Sequence, residues 1–520
     1  MINEAQRLPD DIHALKALVV SLQTQLAEET SHYRSQIAHL REQLNLLLAK
    51  RYGRSSEKHP GQLGLFDEAE QTIEQATQEA AAGPSHTTVI PAHTRKKPAR
   101  QPLPDHIERH EVLHDMPEKE KFCPHDGQAL VRIGEEVSEQ LDVIPAQVRV
   151  LRHIRPKYAC PCCKEGVKTA PMPPQPLPKS IASPGLLAHV ATAKYVDSLP
   201  LYRLEAILQR SGIRIGRATL AHWMVKLGEL ILPLMNLLRD HLLAYDILHM
   251  DETRVRVLKE EGKSPTSQSY MWVQRGGPPS RPVILFDYDP TRAGAVPVRL
   301  LDGYVGHLVC DGYEGYALVG RQAGVVLLGC WAHARRKFDE AIKALGRQDK
   351  AKGGRAAEGL ALIQGLYRVE KSAKGMSPQA RYQLRQAQAV PLLEEIRTWL
   401  DTALPQVPPQ TTTGKALHYL HNQWPKLIGY VADGRLPIDN NAAERAIRPF
   451  VIGRNNWMFS HSVAGAEASA RLYSLILTAK ANGHEPYRYL RHIFTELPAA
   501  TSVEAFEALL PYNLDPASLV

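Results

Sequence analysis

Five short apolar runs between Asp246 and Leu328 constrain this chain more than any other feature: Ile247–Asp251, Tyr270–Gln274, Pro282–Asp287, His307–Asp311 and Val325–Gly329. Val, Ile, Leu and aromatic residues fill them and turn-forming residues separate them, which is the pattern of buried strands. Helical patterning flanks them on both sides. Residues 183–238 read as several short helices, 335–435 as helices rich in Ala, Leu, Arg and Gln, and 440–497 as helix, short turn, helix, helix. A strand-rich centre set among helices predicts a multidomain α/β protein whose core carries a helical insertion over about 338–435.

Two of the runs end on a carboxylate, Asp251 and Asp311. A carboxylate at the end of a buried strand loses hydration unless a cation or hydrogen-bond donors compensate. Two such ends on neighbouring strands can converge on one point. Glu444 lies in Asp439-Asn-Asn-Ala-Ala-Glu-Arg-Ala-Ile-Arg-Pro449, which reads as an Asn-capped helix start. A helix packed across the sheet can carry Glu444 to the same point. Three carboxylates can hold two Mg²⁺ or Mn²⁺ ions about 3.5–4 Å apart. In phosphodiester chemistry one ion activates the attacking water or 3′-hydroxyl and the other stabilises the leaving oxygen. Taken singly, each acid is equally well a strand-end or helix cap.

The N-terminal segment points to a partner helix. Ile12, Leu15, Val19, Leu22 and Leu26 follow steps of three and four, and Tyr33, Ile37, Leu40, Leu44 and Leu47 resume them after a polar gap at Glu29 and a register slip near Tyr33. This heptad seam predicts self-association through a coiled coil, with packing on its own chain as the other option. Residues 59–105 read as a linker, and Val148–Ile154 as a strand-like piece. The chain has six cysteines, too few for a disulfide scaffold, and Cys123, Cys160, Cys162 and Cys163 are gathered within one segment. Cys123, His125, Cys160 and Cys163 could hold a structural zinc. The first half is irregular because Asp126 stands where a second cysteine would complete the knuckle. Asp126 or Cys162 could also serve, so the ligand set stays open.

Leu199–Leu208 and Ile215–Val225 read as two helices joined by the turn Arg210-Ser-Gly-Ile213, the form of a helix-turn-helix. Its second helix would meet the DNA major groove through Arg214, Arg217, Thr219 and His222. The charge fits a polyanionic partner without proving one. Lys and Arg number 63 against 55 acidic residues, and basic clusters fall at 51–58, 93–100, 210–217, 335–337 and 445–454. No apolar run approaches the ~20 residues of a membrane span, and no secretory pattern opens the chain.

Several of these segments resemble one family when taken together. Met250-Asp-Glu-Thr253, Cys310-Asp-Gly-Tyr-Glu-Gly-Tyr316, Gly329-Cys-Trp-Ala-His-Ala-Arg-Arg-Lys-Phe338, the Asp439–Pro449 motif, Arg471–Gly483 and Pro486-Tyr-Arg-Tyr-Leu490 are similar to the insertion-sequence-66 family of bacterial transposases. The likeness runs through the whole chain in the same order. It implies an RNase H-like catalytic core with a DDE triad at Asp251, Asp311 and Glu444, binding of terminal inverted repeats, strand transfer, and accessory proteins of the same element. Cys330-Trp-Ala-His333 is similar to a Cys-x-x-His element of several DDE transposases, in which His333 would position DNA. Arg445, Arg448 and Arg454 could clamp phosphates, although Arg448 is also spaced to pair with Glu444 along a helix. Family members commonly carry Arg-Lys-Asn-Trp where this chain has Arg454-Asn-Asn-Trp457, so a cation is missing at Asn455.

The resulting plan is a coiled-coil helix with a basic end at 1–58, the linker at 59–105, and a zinc-ribbon-like cysteine module at 106–178. A helix-turn-helix region at 179–240, the catalytic core at 241–485 and a C-terminal helical element at 486–520 follow. The expected function is a Mg²⁺-dependent transposase acting on double-stranded DNA, cytoplasmic and nucleoid-associated in a bacterium. A DNA-binding regulator without catalysis, or a nuclease that cuts without joining, is the alternative.

Overall fold

Each of the five apolar runs becomes a strand of one sheet in the structure, a computed structural model that describes residues 11–52, 128, 148–158, 168–344 and 354–519. The strands are β1 (Ile247–Val255), β2 (Ser269–Gly276), β3 (Val283–Asp289), β4 (Gly306–Val309) and β5 (Val325–Leu328), in the order β3-β2-β1-β4-β5. β1, β2 and β3 are antiparallel neighbours, whereas β1, β4 and β5 run parallel. Met271, Trp272 and Val273 in β2 are fully buried in succession, so both faces of the sheet are covered.

The described helices include α1 (Ile12–Tyr52), α2 (Leu201–Arg210), α3 (Arg217–Leu230), α4 (Trp331–Ala344), α5 (Gly354–Ser372), α6 (Val390–Ala403), α7 (Thr412–Leu427), α8 (Asn441–Trp457) and α9 (Val463–Ala481). α9 covers the open edge of the sheet. Phe286 N–H donates to Ser474 Oγ (2.7 Å), Ile284 N–H donates to Thr478 Oγ1 (3.0 Å), and Thr478 Oγ1 donates back to the Ile284 carbonyl (2.9 Å). Two hydroxyls thus satisfy edge groups that would otherwise invite another strand. α3 crosses α9 closely at Gly228, where a Cβ would stand 2.7 Å from Ala468 Cα.

Two apolar cores result. One joins most of the sheet to α2, α3, α8, α9 and the C-terminal helices. The other holds Ile247, Val309, Leu328 and Trp331 against the insertion helices α5, α6 and α7. The expected insertion therefore has its own core, bonded to the end of the sheet.

α1 runs as one helix through the register slip near Tyr33. One expectation needs correction. Val148–Ile154 forms no strand, and Val150 and Ile154 are 93% and 78% exposed, so β-branched composition alone found no surface to bury against. The short antiparallel pair there is Lys157–Tyr158 with Lys168–Thr169. The chain divides into two units, Met1–Gln78 with His153–Val520, and Glu79–Arg152; the sheet and its acids belong to the first. The linker at 59–105 and the residues Cys123, His125, Asp126, Cys160 and Cys163 lie outside the described residues.

Candidate active site

Strand register sets the first two acids side by side. β1 and β4 pair as Ile247↔His307, Leu248↔Leu308 and His249↔Val309, and continuing that offset brings Asp251 level with Asp311. The apolar run stops at Met250, but the strand does not. Antiparallel pairing with β2 (Asp251↔Val273) carries β1 on to Val255, so Asp251 sits mid-strand where its parallel neighbour ends. Both aspartates are half-buried. Asp251 Oδ1 accepts the Glu252 N–H (2.8 Å), and Asp311 Oδ1 accepts the Tyr313 N–H (2.9 Å).

Glu444 enters from the first turn of α8 and is buried. Its carboxylate lies 3.5 Å from His333 Nδ1 and 3.7 Å from Arg336 Nη2, both on α4. The Asp251 carboxyl is held well above its ordinary range, first by burial and then by the charges of Glu252, Glu444 and Asp311. Glu252, Glu444 and Asp311 thus all lie near enough to Asp251 to act on its charge. Burial and the Arg336 charge hold the His333 imidazole below its ordinary range.

Asn440 holds this arrangement together, and sequence reasoning gave it a different task. It occupies the N-cap position, but its side chain makes no cap bond. Instead Nδ2 donates to the Met250 carbonyl (2.9 Å), and Oδ1 meets His249 Nδ1 (3.0 Å), which assigns the imidazole proton to Nδ1. Its own N–H donates to Cys330 Sγ (3.2 Å). Helix start, β1 and the start of α4 are thereby tied at one fully buried residue. The run of two asparagines at 440–441 was visible, but its bonds to residues about 190 positions away were not.

Glu252 is a further carboxylate that sequence reasoning passed over. Tyr316 Oη donates to its Oε2 (2.6 Å), and Arg292 Nε donates to its Oε1 (2.7 Å). With both oxygens engaged it is a brace between β1 and the Asp311 loop. Cys330 and Trp331 are core residues: the Trp331 indole donates to the Leu427 carbonyl (2.8 Å), and burial pushes the Cys330 thiol well up. Among the described residues, Cys330, His333 and Glu444 are the trio whose potential ligand atoms all lie within 4.8 Å of one another.

The other basic residues divide. Arg214, Arg217, Thr219 and His222 are all exposed at the N-terminal end of α3, across a turn in which Gly212 takes φ +80°. Arg445 is exposed and Arg448 half-buried on α8 beyond Glu444. Arg454 is committed to the fold, donating to Thr253 Oγ1 (2.8 Å) and to the Arg254 carbonyl.

Comparison with known proteins decides the family. A family model described as "Transposase IS66 family" matches residues 179–468, which span α2 through the start of α9. The chain belongs to the IS66 transposase family. Further IS66 models match beside it: a zinc-finger binding domain at 120–164, a segment described as "Transposase C of IS166 homeodomain" at 39–112, and a C-terminal element at 474–512. Among its relatives are two proteins of Sinorhizobium fredii (strain NBRC 101917 / NGR234), both named only as uncharacterized. One, y4jD, is 32% identical over 79% of this chain and 81% of its own length. The other, y4qI, is 30% identical over 99% of each. No described helix of this IS66-family chain is long and apolar enough to cross a membrane.

Proposed function

We propose that this chain is a metal-dependent transposase that binds the inverted repeats at its element's ends, cuts the DNA there, and joins the freed 3′-hydroxyl to target DNA. The observation that carries this reading is the β1–β4 register, which sets Asp251 beside Asp311 with Glu444 delivered over them by α8. The strand order β3-β2-β1-β4-β5, with β2 antiparallel to both its neighbours, supports an RNase H-like core. Asp251, Asp311 and Glu444 would hold Mg²⁺ or Mn²⁺, which supplies activation of the attacking oxygen and charge stabilisation at the leaving oxygen. The donor set fits such ions: hard carboxylate oxygens, with the Asp251 carboxyl held up first by burial and then by the charges of Glu252, Glu444 and Asp311, so a cation would relieve both. His333 and Arg336 orient Glu444, and the exposed residues at the start of α3 would meet duplex DNA. The full chain, a duplex bearing an element end, and Mg²⁺ should yield nicked and joined products on a sequencing gel. Nicks without joining would favour the nuclease reading.

Asn440→Ala should slow cutting about 10- to 100-fold with little change in the KM for DNA, since it misplaces Glu444 without touching the DNA-binding residues. A rate within twofold of wild type in single-turnover assays would remove its positioning role.

The match to a zinc-finger domain at 120–164 supports a structural zinc on ligands drawn from Cys123, His125, Asp126, Cys160 and Cys163. Elemental analysis of the full chain should give about one zinc, lost in Cys160→Ser/Cys163→Ser. α1 leaves Ile12, Val19, Leu22, Leu26, Tyr33, Ile37, Leu40 and Leu44 each at least half exposed, which supports pairing with a second copy. Leu22→Asp/Leu26→Asp should shift the chain to monomer in light scattering, with its DNA-cutting acids intact. Accessory proteins of the same element would act on the assembled ends.

A further inference from the structure

Beyond Asp251, β1 forms one wall of a cavity of about 620 Å³ whose lining includes Arg254, Arg256, Tyr270, Arg292, Arg454 and Met458, with Glu252 also on its wall. Arg254 and Arg256 alternate with Val255 and Val257, each 2% exposed, so the apolar pair is buried while the two guanidinium groups share the outer face. Among the described residues Arg254 and Arg256 form no ion pair, whereas Glu252 holds Arg292, and Thr253 with the Arg254 carbonyl holds Arg454. The wall is therefore cationic, with two arginines uncommitted.

The rim carries a second, independent oddity. α8 must reach its parallel pairing with Val257–Lys259 within two residues, because Ser460 N–H already donates to the Arg256 carbonyl (2.9 Å). It turns at Met458, with φ 67° and ψ −38°, and the Phe459 N–H closes back on the Trp457 carbonyl (2.8 Å). This is a γ-turn with positive φ, a strained form that glycine takes without steric cost. Here it holds a methionine that is 67% exposed, next to a phenylalanine that is 43% exposed. Residues in such conformations gather at active sites and ligand clamps.

Guanidinium groups in a row, an aromatic ring within, and apolar side chains at the mouth form a surface for a polyanion with flat faces. An unstacked nucleotide with its flanking phosphates has both the charge and the flat face that this surface would take. We infer that this cavity binds an unpaired stretch of DNA strand beside Asp251, with phosphates on Arg254 and Arg256 and a base against Met458 and Phe459. The inference rests on the proposed DNA reaction at the acid cluster, and it adds the site that holds the strand after its bases separate.

The test uses the full chain and fluorescence anisotropy with labelled oligothymidylate, and with a duplex of equal length, across a salt series. Arg254→Gln/Arg256→Gln should weaken oligothymidylate binding about tenfold at low salt. It should also flatten the salt slope by about 1.4, near 0.7 for each lost phosphate contact. Each single variant should give about half that change, and duplex affinity should hold. Met458→Gly should lower oligothymidylate affinity about fivefold or more and melt no lower than wild type, which separates lost stacking from lost folding. Wild-type affinity and slope in the folded double variant would overturn the inference. So would equal weakening for single strand and duplex, which would mean diffuse surface charge. Asp251→Asn keeps the two readings apart: if it still cuts DNA the catalytic assignment fails, while the anisotropy result stands by itself.

Discussion

Asp251→Asn is expected to abolish cutting and joining of element-end DNA, a fall of at least roughly 10³-fold, while end binding is retained. The size follows from the several kcal/mol that metal ions supply to charge developing in the transition state, at about 1.4 kcal/mol per tenfold in rate. Asparagine keeps the shape and can still accept the Glu252 N–H, so β1 has no reason to shift. What disappears is one anionic ligand in a cluster where Glu252, Glu444 and Asp311 all repel it. Loss of that repulsion should leave thermal stability unchanged or slightly raised, in contrast to a folding defect. Calorimetric titration with Mn²⁺ should show weakened binding in the same variant. Mg²⁺-dependent cutting within tenfold of wild type would remove Asp251 from the reaction.

The parts of this site that could be read in sequence are those set by local pattern. Apolar runs locate β1 and β4, and an acid two residues past β4 is conspicuous because burial makes it costly. The parts that could not are set by tertiary bonds. Asn440 looked like a helix cap because Asn favours that position, yet its side chain was recruited by the Met250 carbonyl and His249. Glu252 looked like a flank of Asp251 until Tyr316 and Arg292 closed around it. Arg454 was expected to clamp phosphates, and its bond to Thr253 Oγ1 on β1 was not foreseen. The Val148–Ile154 run failed for the converse reason: its strand propensity had no apolar surface to meet. The insertion reads in sequence only as helices rich in Ala, Leu, Arg and Gln, and nothing in that pattern marks the one arginine that is fully buried.

Arg385→Ala is expected to cost about 3–5 kcal/mol of stability, the usual penalty for removing one partner of a buried ion pair. Arg385 is fully buried, in a π-helical turn at Arg385–Ala389. Its Nε and Nη2 donate to Glu370 Oε1 and Oε2 (2.8 Å each), and Nη1 donates to the carbonyls of Tyr430 (2.8 Å) and Asp433 (2.9 Å). The fork therefore fastens α5, the turn before α6, and the segment that leads to Asp439 and α8. Truncation leaves a carboxylate and two carbonyls without their donors, and a cavity under the Tyr430 ring. Lysine would restore the charge but not the planar fork, so Arg385→Lys should recover only part of the loss. Arg385→Met/Glu370→Leu should be more stable than Arg385→Ala, because no charge is then buried alone. Denaturant midpoints measure all three variants. Activity links this lock to the site. The segment ending at Asp433 feeds the helix that carries Glu444, so loosening the insertion should reduce DNA cutting before it reduces duplex binding at α3, which lies in the other core. If Arg385→Ala lost binding and cutting together at temperatures where α3 is still folded, the insertion would not be the element that holds the third acid in place.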